Sequence, residues 1–217
     1  MSEVTAILSS PLLSPQWREA TDLAANSLRT QKLRQWTREE YMKMAELGVL
    51  APGERVELIE GEVIQMSPQN SPHTTAVILV AEALRTAFGQ GYVIRTQAPL
   101  ALSEISEPEP DVAVVSGMPR AYRDAHPTTA LLIVEVSDTT LTYDRGWKAS
   151  LYAKAGIEDY WIVNLVHQRL EVYRNPVLMP EQPFGYGYRN VALYMAADSV
   201  APLAAPQSFV VVVDILP

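Results

Sequence analysis

From residue 55 to residue 66 apolar and polar residues alternate on either side of Glu60-Gly61. That pattern predicts a half-buried hairpin in which Gly61 supplies the positive φ of the turn. The period then changes: His73, Val77, Val80, Ala81, Leu84 and Phe88 recur at helical spacing. A helix is expected there, with Ser71 as N-cap, Pro72 at its first position and Gly89 as its stop. Upstream, Thr37 and Glu40 have the spacing of a capping box, and Tyr41, Met44, Ala45 and Leu47 continue a short helix to Gly48. Beyond Gly89 strand-like runs fall at about 92–102, 111–116 and 130–137, separated by Pro- and Ser-rich turns. A helix over 144–155 follows, ended by Gly156, and the runs 160–165 and 169–173 make another strand pair. Tyr186, Tyr188, Val191, Leu193 and Tyr194, and then the run 209–213, suggest further strands. Together these elements predict an α/β (α+β) fold with one central mixed sheet flanked by helices.

Composition narrows the picture. A chain of 217 residues, 48% hydrophobic, can bury one sizeable core. The expected organisation is an irregular extension over residues 1–30, where leucines lack a sustained period, and a single domain over 31–217. The absence of cysteine excludes disulfides, thiolate metal sites and a cysteine nucleophile. No basic n-region precedes Ile7-Leu8, and the apolar runs are too short to span a bilayer, so a soluble, cytoplasmic protein is expected. The net charge of −8 argues against broad nucleic-acid affinity. Arg29, Lys32, Arg34, Arg38 and Lys43 make the N-terminal part comparatively basic, which reads as a solvated arm and helix face.

Candidate chemistry lies at the strand ends. Asp111 follows Pro108-Glu109-Pro110, and Glu135 closes the apolar run 131–134. A carboxylate at the end of a buried strand is costly to desolvate unless it is paired or holds a cation. The two strands are expected side by side, so these acids can converge on one divalent ion. The alternatives are a turn aspartate and a buried acid paired with arginine. Asp144, Lys148 and Tyr152 follow at four-residue spacing on one helix face, with Trp147 and Leu151 beside them as the residues that pack the helix on the sheet. Lys148 can then reach toward Glu135, whereas an exposed Asp144–Lys148 pair would be the plain alternative. Glu57 lies deep in the first hairpin strand and can complete a metal shell through water. His73, on an apolar helix face in a first turn, is expected as a neutral imidazole. Magnesium suits hard oxygen ligands, so metal-assisted phosphodiester hydrolysis is the leading reading.

The segments 57–62, 71–73, 110–112, 135–137, 144–148, 152–157 and 160–163 together resemble the Uma-type family of restriction-endonuclease-like proteins, a branch of the PD-(D/E)XK nuclease superfamily. The resemblance spans about residues 36–175. It implies a restriction-endonuclease-like core that binds Mg2+, with Mn2+ as a substitute, and cleaves DNA. Asp111 matches the motif aspartate and Glu135 its second acid, both as metal ligands. Ser137 stands where the motif lysine is usual, and Lys148, from the next helix, matches that lysine. Glu57 matches the N-terminal acid, as an outer or bridging ligand, and His73 the recurrent histidine near the helix start. Asp144 is expected to hold Lys148 and Tyr152 to support that face. A homodimer is expected because a DNA duplex has two antiparallel strands. The rival expectation is a catalytically silent module that keeps this fold and binds protein or nucleic acid.

Overall fold

The computed structural model describes residues 33–51 and 53–217; the expected extension over residues 1–30 lies outside the described residues. Residues Gln35–Pro217 form one compact unit. Its first elements are helix α1 (Arg38–Glu46) and a hairpin of β1 (Val56–Ile59) and β2 (Glu62–Gln65). The expected capping box forms, with Thr37 and Glu40 bonded reciprocally. Glu60 and Gly61 both have positive φ, 48° and 83°, as a two-residue turn of the primed type needs. Gly61 is required twice over, because a Cβ there would lie 2.4 Å from the Gln35 side chain.

Helix α2 (Ser71–Phe88) leads into a six-stranded sheet of order β3-β4-β5-β6-β7-β8. Its strands are β3 (Tyr92–Thr96), β4 (Val112–Ser116), β5 (Leu132–Ser137), β6 (Asp159–Asn164), β7 (Arg169–Leu178) and β8 (Tyr186–Met195). Only β5 and β6 pair in parallel, and the crossover between them carries α3 (Leu141–Tyr143), a π-helical turn over Asp144–Lys148 and α4 (Ala149–Lys154). Antiparallel neighbours elsewhere need no such crossover.

Both faces of the sheet are covered, which is why β4, β5 and β6 read as nearly continuous apolar runs. On one face Val77, Val80 and Leu84 of α2 pack on Val112, Val114, Leu132 and Val134, and the C-terminal Val212 and Ile215 extend that layer. On the other face Leu151, Tyr152 and Ala153 of α4 pack on Ala113, Val115, Ile133, Tyr160 and Ile162. The two-residue period of a strand therefore puts Glu135 on the α4 face with Ile133. Asp111 stands one residue before β4 and one step beyond the last paired residues, Val112 and Val134, so it meets Glu135 at that sheet end.

Several boundaries differ from the expectation. The N-cap of α2 is Asn70, whose side chain accepts from the backbone of His73, and Ser71 is the first helical residue. The strand expected over 92–102 stops at Thr96 because Gln97 turns to φ 47° and Leu100 and Ala101 bond to loop carbonyls. The run 209–213 gives only β10 (Val210–Val211), paired with β9 (Ser199–Val200), before a 3₁₀ turn over Val212–Ile215. Val210 and Val212 fill the α2 layer without a longer partner strand, while Phe209, Val211 and Val213 are exposed. Trp147 is largely exposed and meets Phe184 edge-on, so of the two residues expected to seat the helix only Leu151 does so.

Candidate functional site

A cavity of about 330 Å³ opens between the hairpin, the start of α2 and the end of β5. Six carboxylates line it, from Glu57, Glu109, Asp111, Glu135, Asp138 and Asp144, together with Arg55, His73, Tyr143 and Lys148. The sequence-predicted acids and lysine therefore meet at one sheet end. Tyr152 lies directly beneath, fully buried in the α4 layer.

Asp111 and Glu135 are locked to each other through the main chain. The Asp111 amide donates to Glu135 Oε2 at 3.1 Å, and the Val136 amide donates to Asp111 Oδ2 at 2.9 Å. His73 Nε2 lies 3.1 Å from the same Asp111 oxygen. The other oxygen, Oδ1, has a long contact at 3.3 Å from Gln97 Nε2. Tyr152 donates its phenol proton to Glu135 Oε1 at 2.6 Å, which fixes the carboxylate's orientation from below.

Lys148 is buried and lies 2.6 Å from Glu57 Oε2 and 3.4 Å from Glu135 Oε1. Glu57 thus serves as the lysine's ion-pair partner. Asp144, expected to hold Lys148, instead accepts from the hydroxyls of Ser137 and Thr140 (2.7 Å from the latter). Two short hydroxyls at the end of β5 reach Asp144 first, and the π-helical turn delivers Lys148 to the hairpin side. A π turn widens the helix locally and re-aims its side chains, so both Asp144 and Lys148 are buried while Trp147 faces outward.

Electrostatics follow from this packing. Burial pushes Glu135 up to about 8, against the opposing pull of Lys148 and with help from the Asp111 and Asp144 charges. Burial also raises Asp144, more than its hydroxyl donors lower it. For Lys148 burial acts downward, but the Glu135 and Glu57 charges outweigh it and hold the ammonium above the usual lysine range. His73 was expected neutral; burial does depress it, yet the Asp111 carboxylate, with help from the Asp144 charge, outweighs burial, and its net direction is upward.

A sequence profile of the Uma2 family, described as "Putative restriction endonuclease", matches residues 38–188. The chain belongs to this family. Glu57, His73, Asp111, Glu135, Asp144, Lys148 and Tyr152 of this Uma2-family chain all fall within the matched segment. Among solved structures it is similar to a "putative nuclease belonging to DUF820" from Anabaena variabilis, with 16% identity and a TM-score of 0.59. The match covers 82% of this chain and 96% of that one, and at such identity it establishes a shared fold. No curated protein matches the chain.

Sequence reasoning missed Arg55, Glu109 and Tyr143 as cavity residues, and Ser137 and Thr140 as partners of Asp144. Arg55 looks like an ordinary first residue of a hairpin, and Tyr143 precedes the helix start that its pattern suggested. The one available signal was the Asp144 spacing to Thr140, four residues back, where a hydroxyl can meet a carboxylate on one helix face. Of the basic cluster, Arg38 is paired with Glu107 and Lys43 with Glu39, so those two charges are not gathered into a patch. Among the described residues no helix is long and apolar enough to cross a membrane.

Proposed function

We propose that this Uma2-family protein is a magnesium-dependent endonuclease that hydrolyses phosphodiester bonds in DNA. The observation that supports the reading best is the meeting of Asp111 and Glu135, from two neighbouring strands, beside a buried lysine in an acid-rich cavity. Among the described residues no three acids or histidines gather tightly enough to form a ready cage. Mg2+ usually takes one or two carboxylates and keeps several waters, a need that Asp111 and Glu135 would meet. The donor set fits in charge as well, since six carboxylates face one uncommitted cation, Arg55, once Lys148 is paired.

Asp111 and Glu135 would hold the ion, with Mn2+ as its substitute. When bound, it would supply Lewis-acid polarisation of the phosphate and a more acidic water. Tyr152 and the Val136 amide keep the two carboxylates in place. Lys148, permanently charged in its surroundings, cannot accept a proton from water; it orients the water and stabilises negative charge developing on the phosphate. Glu57 fixes the ammonium and approaches the ion, if at all, through water. His73 steadies Asp111. The protein would act in the cytoplasm as a homodimer, each copy cutting one strand of the duplex, and sedimentation equilibrium tests the pairing directly.

Incubation of the purified chain with supercoiled, linear and single-stranded DNA in Mg2+ or Mn2+ tests the activity. Asp111→Asn should abolish cleavage and weaken Mg2+ binding measured by calorimetry at least tenfold, about 1.4 kcal/mol. The silent-module reading draws support from one feature: protein donors already satisfy oxygens of both acids. It expects no Mg2+ heat at all and no effect of Asp111→Asn.

A further inference from the structure

Three polar groups on the cavity wall have no part in the scheme above. Arg55, one residue ahead of β1, makes no side-chain hydrogen bond or ion pair with any described residue, although its charge is felt by Glu109 and His73. Tyr143 Oη and His73 Nδ1 are buried without hydrogen-bond partners. The phenol is a proton donor at neutral pH, since burial raises Tyr143 well above the physiological range. Buried polar groups in folded proteins are nearly always partnered, so an orphan on a cavity wall points to what the cavity receives.

The other wall groups cannot serve the same purpose. The six acids accept hydrogen bonds and repel an anion wherever they are ionised. Lys148 already neutralises Glu57 and part of Glu135. Asn70 is committed to Asp138 and to the start of α2. Gln65, Ser67, Gln69, Thr139 and the His73 ring also line the wall, but the guanidinium of Arg55, with its planar fork of donors, is the cation that no acid holds, and Tyr143 is the unpartnered hydroxyl. Guanidinium matches the geometry of phosphate oxygens.

We propose that Arg55 and Tyr143 form the receptor for the substrate's phosphodiester group, gripping its non-bridging oxygens within the cavity that Asp111 and Glu135 also line. The inference rests on the nuclease reading and deepens it, because it assigns the acids to a cation and these two donors to the anion. The charge of the bound diester is thereby balanced by Arg55, while Lys148, held by Glu57 and Glu135, is left for the charge that develops on the phosphate during the reaction. Specificity for a diester would follow from the single guanidinium: a dianionic phosphate monoester places more negative charge against the six carboxylates.

The test is a 31P NMR titration of the full chain, with Mg2+ present, using dimethyl phosphate as the diester probe and inorganic phosphate as the monoester comparison. Mg2+ binding is followed in parallel by calorimetry. Arg55→Met should weaken dimethyl phosphate about tenfold or more, Tyr143→Phe about threefold to tenfold, and Arg55→Lys should recover part of the loss. Mg2+ affinity should stay within about twofold of the parent in all three. Parent-like dimethyl phosphate binding by Arg55→Met overturns the proposal, as does a parent that binds Mg2+ but no diester, an outcome that leaves the metal reading intact. Binding of inorganic phosphate alone overturns the diester assignment. Diester binding that depends on Arg55 and Tyr143 in a chain that takes no Mg2+ supports the receptor and overturns the nuclease reading instead.

Discussion

Lys148 and Glu135 carry the sharpest consequences for single side chains. The ammonium sits between two buried carboxylates, so removing it strands Glu57 without a counter-ion. Lys148→Met should cost about 3–5 kcal/mol of stability in urea unfolding, as breaking one partner of a buried pair does. The double change Lys148→Met with Glu57→Gln should recover most of that loss, and an equal loss in both variants would rule out the ion pair as the cause. Glu135 makes a pH prediction. Its carboxyl is raised from 4.5 to about 8, so the native protein keeps a proton that the unfolded chain releases at much lower pH. In the metal-free protein its contribution to stability is full below about 4.5 and declines as pH rises through about 8. A cation must displace that proton, so Mg2+ affinity should climb from pH 6 and level off above about 8. Calorimetry in buffers of different ionisation heat would count the released proton; a flat pH profile with no release would contradict it. At this scale the sequence was informative where burial itself was the signal. An acid ending an apolar strand, as Asp111 and Glu135 do, announces a need for partners. Asp144 did not announce its own, because hydroxyls from Ser137 and Thr140 and a lysine four residues on all looked equally close.

The decisive element is the π-helical turn over Asp144–Lys148, which a helical pattern cannot reveal. A run of polar and apolar residues fixes which face is buried, yet one extra residue per turn is settled by tertiary contacts. Here one such contact is made by residues outside the cavity lining. Arg145, from the middle of the turn, donates through Nε to Glu171 on β7 at 2.9 Å, and Asn164 and Arg169 donate to the same carboxylate. Glu171 is buried, and burial alone would raise it, but these donors outweigh burial and hold it down at about 2. A carboxyl lowered from 4.5 to about 2 contributes roughly 3 kcal/mol above about pH 4.5, and the contribution disappears as pH falls through about 2. Arg145→Met should therefore move the acid-unfolding midpoint to higher pH and loosen the turn that presents Lys148. Acid titration followed by near-ultraviolet circular dichroism checks the first effect, and an unchanged midpoint would mean that Arg169 and Asn164 suffice. The hairpin was legible for the opposite reason. Its turn, like the capping box of α1, is local, so Glu60-Gly61 and Thr37–Glu40 were readable without long-range information, whereas the expected half-burial of β1 was not met because all four of its residues are buried.

For the whole molecule, the mixed sheet flanked by helices followed from strands that are apolar on both faces, and a crossover helix between β5 and β6 makes that one pair parallel. The order of strands was not legible, since a hydrophobic run states that it is buried and not beside what. The same architecture concentrates acids at one end of a chain whose net charge is −8. On the proposed function, the net charge argues against a broad counterion-releasing surface for DNA. The protein would instead use a few directed contacts, with the proposed one from Arg55 inside the cavity. Each phosphate neutralised contributes about −0.9 to the slope of log affinity against log salt. DNA binding measured by fluorescence anisotropy between 50 and 200 mM NaCl, at fixed Mg2+, should then give a shallow slope, about −1 to −3. Arg55→Met should flatten it by about one phosphate's worth. A slope of about −6 or steeper would require a basic surface of several cations and would contradict this reading; Arg38 and Lys43, paired with Glu107 and Glu39, are poor contributors to one. The expected shallow slope would make the proposed pairing of cation and phosphate inside the cavity the principal source of binding energy.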